Sequence, residues 1–126
     1  MLTLYTINTC DTCRKARRAL DARGVDYRVH DLRRDGLSDA LLTDILERVA
    51  LDDVVNKRSK TWRELSAADR QAFEHSAAGD SGGKIRALLH AHPTLLKRPL
   101  LAGDDATLRV GYQDGSYNDV TAADGA

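Results

Sequence analysis

Leu2-Thr3-Leu4-Tyr5-Thr6-Ile7-Asn8-Thr9-Cys10-Asp11-Thr12-Cys13-Arg14-Lys15-Ala16 is the stretch from which the rest of the chain can be read. Residues 2–7 alternate apolar and polar side chains, the period of a half-buried strand. Asn8-Thr9 breaks that pattern. From Asp11 to Arg23 the period becomes helical, with Cys13, Ala16 and Leu20 on one side and Arg14, Lys15, Arg18 and Asp21 elsewhere. Gly24 supplies a C-terminal stop. Val25-Asp26-Tyr27-Arg28-Val29-His30 alternates again and predicts a second strand. The opening thirty residues are therefore β-α-β, with Cys10 where the first strand gives way to the helix.

Working outward, Ser38 is placed to cap a helix whose apolar face is Leu41, Leu42, Ile45, Leu46 and Val49. Asp52 to Asn56 predicts a further short helical piece, and Thr61-Trp62-Arg63-Glu64 fits a capping box. Ser66 caps a run through Phe73, and Gly79-Asp80-Ser81-Gly82-Gly83 breaks it before a helix carrying Ile85, Leu88 and Leu89. Residues 38–92 thus form a helical block without a strand. Strand signals return in Leu100-Leu101-Ala102, with a hairpin turn at Gly103-Asp104-Asp105 and a return strand over Thr107-Leu108-Arg109-Val110. A short helix over Ser116 to Val120 is expected next, then a frayed tail at 121–126. The order β-α-β, helical insertion, β-β-α is that of an α/β thioredoxin-like fold, in one domain spanning 1–120. In that fold a CxxC at the first strand-to-helix junction is a redox site.

Composition narrows the function. The chain has 126 residues, with 19 Lys plus Arg balancing 19 Asp plus Glu. Net neutrality argues against direct nucleic-acid binding, which draws on a basic surface. No apolar run approaches the roughly 18–20 residues of a membrane span, and the N-terminal residues carry no export pattern. A cytoplasmic protein is expected. Two cysteines cannot build a disulfide framework, so redox or metal chemistry is the live question. A zinc half-site would lack a second CxxC, and His30, His75, His90 and His92 complete no recognisable ligand pair. Two inert buried cysteines are the plain structural alternative.

A thiol attacks as thiolate. Cys10 lies just ahead of a helix, near unpaired backbone N–H groups and the positive end of the helix dipole. Arg14 is placed to add a cation and Asp11 to oppose it, so a moderate lowering of the Cys10 pKa is expected. Cys13 is close enough in the first turn to attack a mixed disulfide on Cys10. Lys57, Arg58 and Lys60 make a cationic loop that is either solvated or holds an anionic thiol such as glutathione. Trp62 reads as a packing anchor.

Beyond single residues, Leu4 to Ala16, Lys60-Thr61-Trp62-Arg63-Glu64-Leu65, His92-Pro93-Thr94-Leu95-Leu96-Lys97-Arg98-Pro99-Leu100-Leu101, Val110-Gly111-Tyr112 and Ser116-Tyr117 together resemble the ArsC/Spx family of arsenate reductase-related proteins. Within it, the YffB-like reductases share the Asp-Thr after the cysteine and the Thr-Trp-Arg segment. The resemblance implies a thioredoxin-like fold, a nucleophilic Cys10, and an oxyanion-contacting Arg98 beside a cis Pro99. The expected substrate contacts are Arg14, Arg58 and Pro99, with no bound cofactor, glutathione as the expected co-substrate and glutaredoxin as an expected partner. Two arginines that arsenate reductases use fall at Asn56, with Arg58 two residues on, and at Gly111. Arsenate is therefore expected to bind weakly, and a small thiol or another oxyanion to be the substrate. Cys13 is what Spx-type regulators carry as a redox switch. That branch implies a regulator binding the RNA polymerase α subunit rather than an enzyme.

Overall fold

Strand β1 (Leu2–Thr6) buries Leu2, Leu4 and Thr6 and leaves Thr3 and Tyr5 half-buried, as the alternation requires. The computed structural model describes residues 2–7, 10–74, 83–103 and 107–121. They form two compact units, one within 1–36 and 98–126 and one within 37–97.

In the first unit, β1 leads into α1 (Asp11–Ala22), which buries Cys13, Ala16 and Leu20. Gly24, at φ 66°, ends the helix. Its N–H donates to the Asp21 carbonyl at 3.1 Å, and the Val25 N–H donates to the Leu20 carbonyl at 3.2 Å. That is a Schellman stop, whose accompanying apolar contact is Leu20 with Val25. Val25 is thereby spent on closing the helix. Strand β2 consequently runs Tyr27–Asp31, shorter than the alternation from Val25 predicts.

Strand β3 (Leu100–Ala102) and strand β4 (Leu108–Val110) complete a four-stranded sheet of order β2-β1-β3-β4. β1 pairs parallel with β2 (Leu4 opposite Val29) and antiparallel with β3 (Tyr5 opposite Leu100), and β3 pairs antiparallel with β4. This is the thioredoxin-like arrangement the element order predicts. The core joins Leu2, Leu4, Ala16, Leu20, Val25, Leu101, Tyr117 and Val120, and each large apolar side chain buried there contributes about 1.5–3 kcal/mol. The helix expected over Ser116 to Val120 is instead a series of turns. Its N–H groups reach back only three residues, Asn118 to Gly115 and Val120 to Tyr117, as in successive turns. The tail at 122–126 and the hairpin tip Asp104-Asp105 lie outside the described residues.

The second unit is the helical insertion: α2 (Asp39–Arg48), α3 (Leu51–Val54), α4 (Lys60–Glu64), α5 (Ala67–Glu74), α6 (Lys84–Ala91) and a 3-10 turn at Pro93–Leu95. Ser38 caps α2 by accepting from the Leu41 N–H at 3.1 Å, as the sequence predicts. The cap of α4 is Ser59, accepting from the Trp62 N–H at 3.1 Å, rather than Thr61. Thr61 is already one residue into the helix, and its hydroxyl bonds that of Thr94 at 2.6 Å. Trp62 is the expected anchor, edge-on to Phe73 at 5.4 Å between ring centroids. Most of the glycine-rich break, 79–82, lies outside the described residues. Among the described residues the only strand-like pairing here is the isolated Val55–Leu96 bridge, flanked by the Lys97 N–H donating to the Val54 carbonyl at 2.7 Å. His90 places Nε2 2.7 Å from Asp39 Oδ1 and Nδ1 2.9 Å from the Leu37 carbonyl, so it ties α6 to the start of α2.

Candidate functional site

Topology explains why residues 88 apart in sequence converge. Cys10 follows the C-terminal end of β1, and Arg98-Pro99 precedes the N-terminal end of β3. Because the two strands are antiparallel neighbours, those ends coincide at one edge of the sheet. The Arg98–Pro99 peptide is cis, and the Pro99 carbonyl accepts from the Gly111 N–H at 2.8 Å.

Cys10 is the N-cap residue of α1, with extended backbone (φ −90°, ψ 116°). Its N–H donates to the Ile7 carbonyl at 3.0 Å, and its carbonyl accepts from the Arg14 N–H at 3.2 Å. The sulfur therefore stands where a capping serine would hold its oxygen. It does not close a capping hydrogen bond of hydroxyl geometry, but the Cys13 N–H still acts on it at longer reach. Cys10 is half-buried, whereas Cys13 is only 2% exposed, and both are free thiols.

The electrostatics divide the pair. Burial is the largest single influence on Cys10 and opposes ionisation. It is outweighed by the Cys13 thiol, the Cys13 backbone N–H and the Arg98 guanidinium, so the pKa falls below the ordinary 9.0. Cys13 goes the other way. Burial, then the Cys10 sulfur beside it, push its pKa up to about 12 despite the Ile7 backbone and Arg98. The arrangement thus favours ionisation of Cys10 over Cys13, with the Cys13 thiol donating a hydrogen bond to the Cys10 sulfur.

The cation acting on Cys10 is Arg98. Arg14, expected from spacing to serve there, bonds the Asp11 carboxylate in an exposed pair instead. Arg58 belongs to the helical unit. Its backbone N–H donates to Asn56 Oδ1 at 3.0 Å, forming a turn ahead of α4. Beside it, Lys57 Nζ lies 3.7 Å from Asp52 and 5.7 Å from the Trp62 ring centroid, and Lys60 lies 3.7 Å from Glu64.

Tyr117 is a participant that sequence reasoning treated only as a family signature. It is 1% exposed, with its hydroxyl buried and without a hydrogen-bond partner among the described residues. Its ring packs against Tyr112 at 4.9 Å, and the Cys13 sulfur is near enough to disfavour its ionisation, adding to the effect of burial. Among the described residues, no group of three His, Cys, Asp or Glu side chains could hold a metal ion, and no helix is long and apolar enough to cross a membrane.

Comparison with known proteins agrees with this geometry. The global transcriptional regulator Spx of Listeria monocytogenes is 31% identical over 121 residues, covering 90% of this chain and 82% of that one. An arsenate reductase related protein from Brucella melitensis superposes with a TM-score of 0.72 at 34% identity, covering 94% of this chain and 92% of that one. The YffB protein does so at 0.76 and 30%, covering 100% of both chains. The sequence matches the ArsC family over residues 5–120, from within β1 through both units to Val120, and the chain belongs to that family.

Proposed function

We propose that the protein is a thiol-dependent reductase in which the Cys10 thiolate attacks a sulfur of an oxidised small-molecule thiol. A Cys10–substrate disulfide forms, the substrate's own S–S bond breaks, and the second thiolate leaves with the electron pair. An external thiolate then attacks the substrate sulfur of that mixed disulfide and frees Cys10 as thiolate again. Glutathione is the co-substrate this reading favours, in the cytoplasm, with glutaredoxin as a downstream partner.

The observation that carries the proposal is the opposite displacement of the two thiol pKa values. It supports Cys10 as the nucleophile and Cys13 as its hydrogen-bond donor. The same displacement favours an external resolving thiol over Cys13. Once Cys10 is in a mixed disulfide its charge is gone, but burial, the largest contribution to the raised Cys13 pKa, persists. Arg98 stabilises the attacking thiolate and is the group placed to receive a carboxylate or oxyanion on the substrate.

Arsenate fits this site poorly. One arginine position of the arsenate-reducing members is Asn56 here, and the other is Gly111, whose φ of 74° strains any larger residue. Each missing charge-assisted bond costs about 1.5–3 kcal/mol of anion binding.

Turnover of hydroxyethyl disulfide with glutathione tests the reading. We expect loss of activity in Cys10→Ser and substantial activity in Cys13→Ser. An active Cys10→Ser protein would overturn the nucleophile assignment, and a dead Cys13→Ser protein would overturn the external-thiol step. The Spx relative supports a second reading, a regulator that uses the same pair as a redox sensor. Retention of this protein on purified RNA polymerase α subunit would favour it, since a reductase has no need of that contact.

A further inference from the structure

We propose that the outward face of α1 is a docking strip for an acidic polypeptide whose cysteine reacts at Cys10, with carboxylates about two to four residues from that cysteine. This extends the reductase reading from small-molecule disulfides to a polypeptide disulfide, and rests on Cys10 being the nucleophile.

Each helical residue turns about 100° and rises about 1.5 Å. Positions 10, 14, 17 and 21 follow i, i+4, i+7, i+11 and so share one stripe, with 18 at its edge. Cys13, Ala16 and Leu20 face inward instead. The stripe thus starts at the reactive sulfur and runs along exposed surface, where Arg14, Arg17, Arg18 and Asp21 line a shallow open groove of about 190 Å³.

The groove is cationic and only weakly neutralised. α1 carries Arg14, Lys15, Arg17 and Arg18 against Asp11 and Asp21, in a chain whose net charge is zero. The Asp21 carboxylate accepts from the Tyr27 hydroxyl at 2.8 Å, and Arg17 also acts on that hydroxyl. Arg14 and Asp11 form a pair whose side chains are 60% and 79% exposed, which an incoming carboxylate can exchange at little cost. Arg18 has no carboxylate partner among the described residues.

Arg14 lies roughly 6 Å and Arg18 roughly 12 Å along the axis from Cys10. An extended peptide advancing about 3.3 Å per residue reaches those levels two and about four residues from its own cysteine. A single small anion would span only one of these levels and lie unenclosed in so open a groove. A polyphosphate chain would meet Asp11 and Asp21 interleaved with the arginines. An acidic polypeptide satisfies the spacing and the charge together.

The test uses three synthetic peptides, each with one cysteine as its mixed disulfide with thionitrobenzoate and with glutamate, glutamine or lysine at the second and fourth positions after it. Attack by Cys10 forms the Cys10–peptide disulfide and breaks the peptide–thionitrobenzoate bond. The coloured thionitrobenzoate anion leaves with the electron pair. At an ionic strength of about 10 mM we expect release about three- to tenfold faster from the glutamate peptide than from the glutamine peptide, and slowest from the lysine peptide. Salt at about 1 M, or the double variant Arg14→Gln/Arg18→Gln, should reduce that ratio to near one. Equal rates for the three peptides, or a ratio that survives in the double variant, would overturn the docking strip while leaving the reductase reading intact. Absence of release from all three peptides would overturn the nucleophile assignment on which it rests.

Discussion

Replacing Cys13 by alanine separates its role as a hydrogen-bond donor from any role as a second thiol. In the native protein the Cys13 thiol is the largest of the influences lowering the Cys10 pKa. A hydrogen bond to a charged acceptor contributes about 1.5–3 kcal/mol net, and one pKa unit is about 1.4 kcal/mol. Cys13→Ala should therefore raise the Cys10 pKa by about one to two units. The more basic thiolate is intrinsically more nucleophilic, with a Brønsted coefficient of about 0.4–0.5, so the gain offsets nearly half of the lost ionisation. At a pH below both pKa values, alkylation of Cys10 should slow by about 3- to 16-fold. Cys13→Ser keeps an O–H donor at the same place and should restore most of the native pKa, though it too lacks the second thiol. Thiolate absorbance against pH reads the three proteins directly. An unchanged or lowered Cys10 pKa in Cys13→Ala, with the fold intact by circular dichroism, would refute the donor role.

Arg98→Met removes the cation that acts on Cys10, and should raise the Cys10 pKa in the same assay while weakening KM for anionic disulfides more than for neutral ones. Stability should also fall in alkali. Cys13 is raised from 9.0 to about 12, so between those values the folded chain holds a proton that the unfolded chain has lost. That contribution is complete below pH 9 and disappears as pH rises through about 12. Urea titrations should show the decline in the native protein and a shallower one in Cys13→Ala.

The β-α-β opening was legible because its local signals agree: alternation in β1, a buried Cys13-Ala16-Leu20 face, and Gly24 at the helix stop. Where two uses compete for one residue, pattern alone misleads. Val25 continues the β2 alternation in sequence, but in the fold it closes α1. Thr61 fits a capping box, yet Ser59 takes the cap because the helix starts two residues earlier. The C-terminal turns resemble a helix in composition, but their N–H groups close three-residue bonds instead. At the site, the placement of Cys10 follows from local sequence. The Arg98 approach does not, since it depends on β1 pairing with β3. Arg14 was the nearest cation by spacing, but a carboxylate one turn before it, Asp11, engages it first. Nothing local to Ser116-Tyr117 signals that the ring lies in the core under α1.

The division of labour between the two cysteines is tested most directly by alkylating the native protein across pH and resolving Cys10 and Cys13 adducts by mass. The account predicts a Cys10 labelling midpoint below 9.0, and a Cys13 that resists labelling until the pH nears 12. Equal labelling of both thiols at neutral pH, or a Cys10 midpoint at or above 9.0, would contradict it.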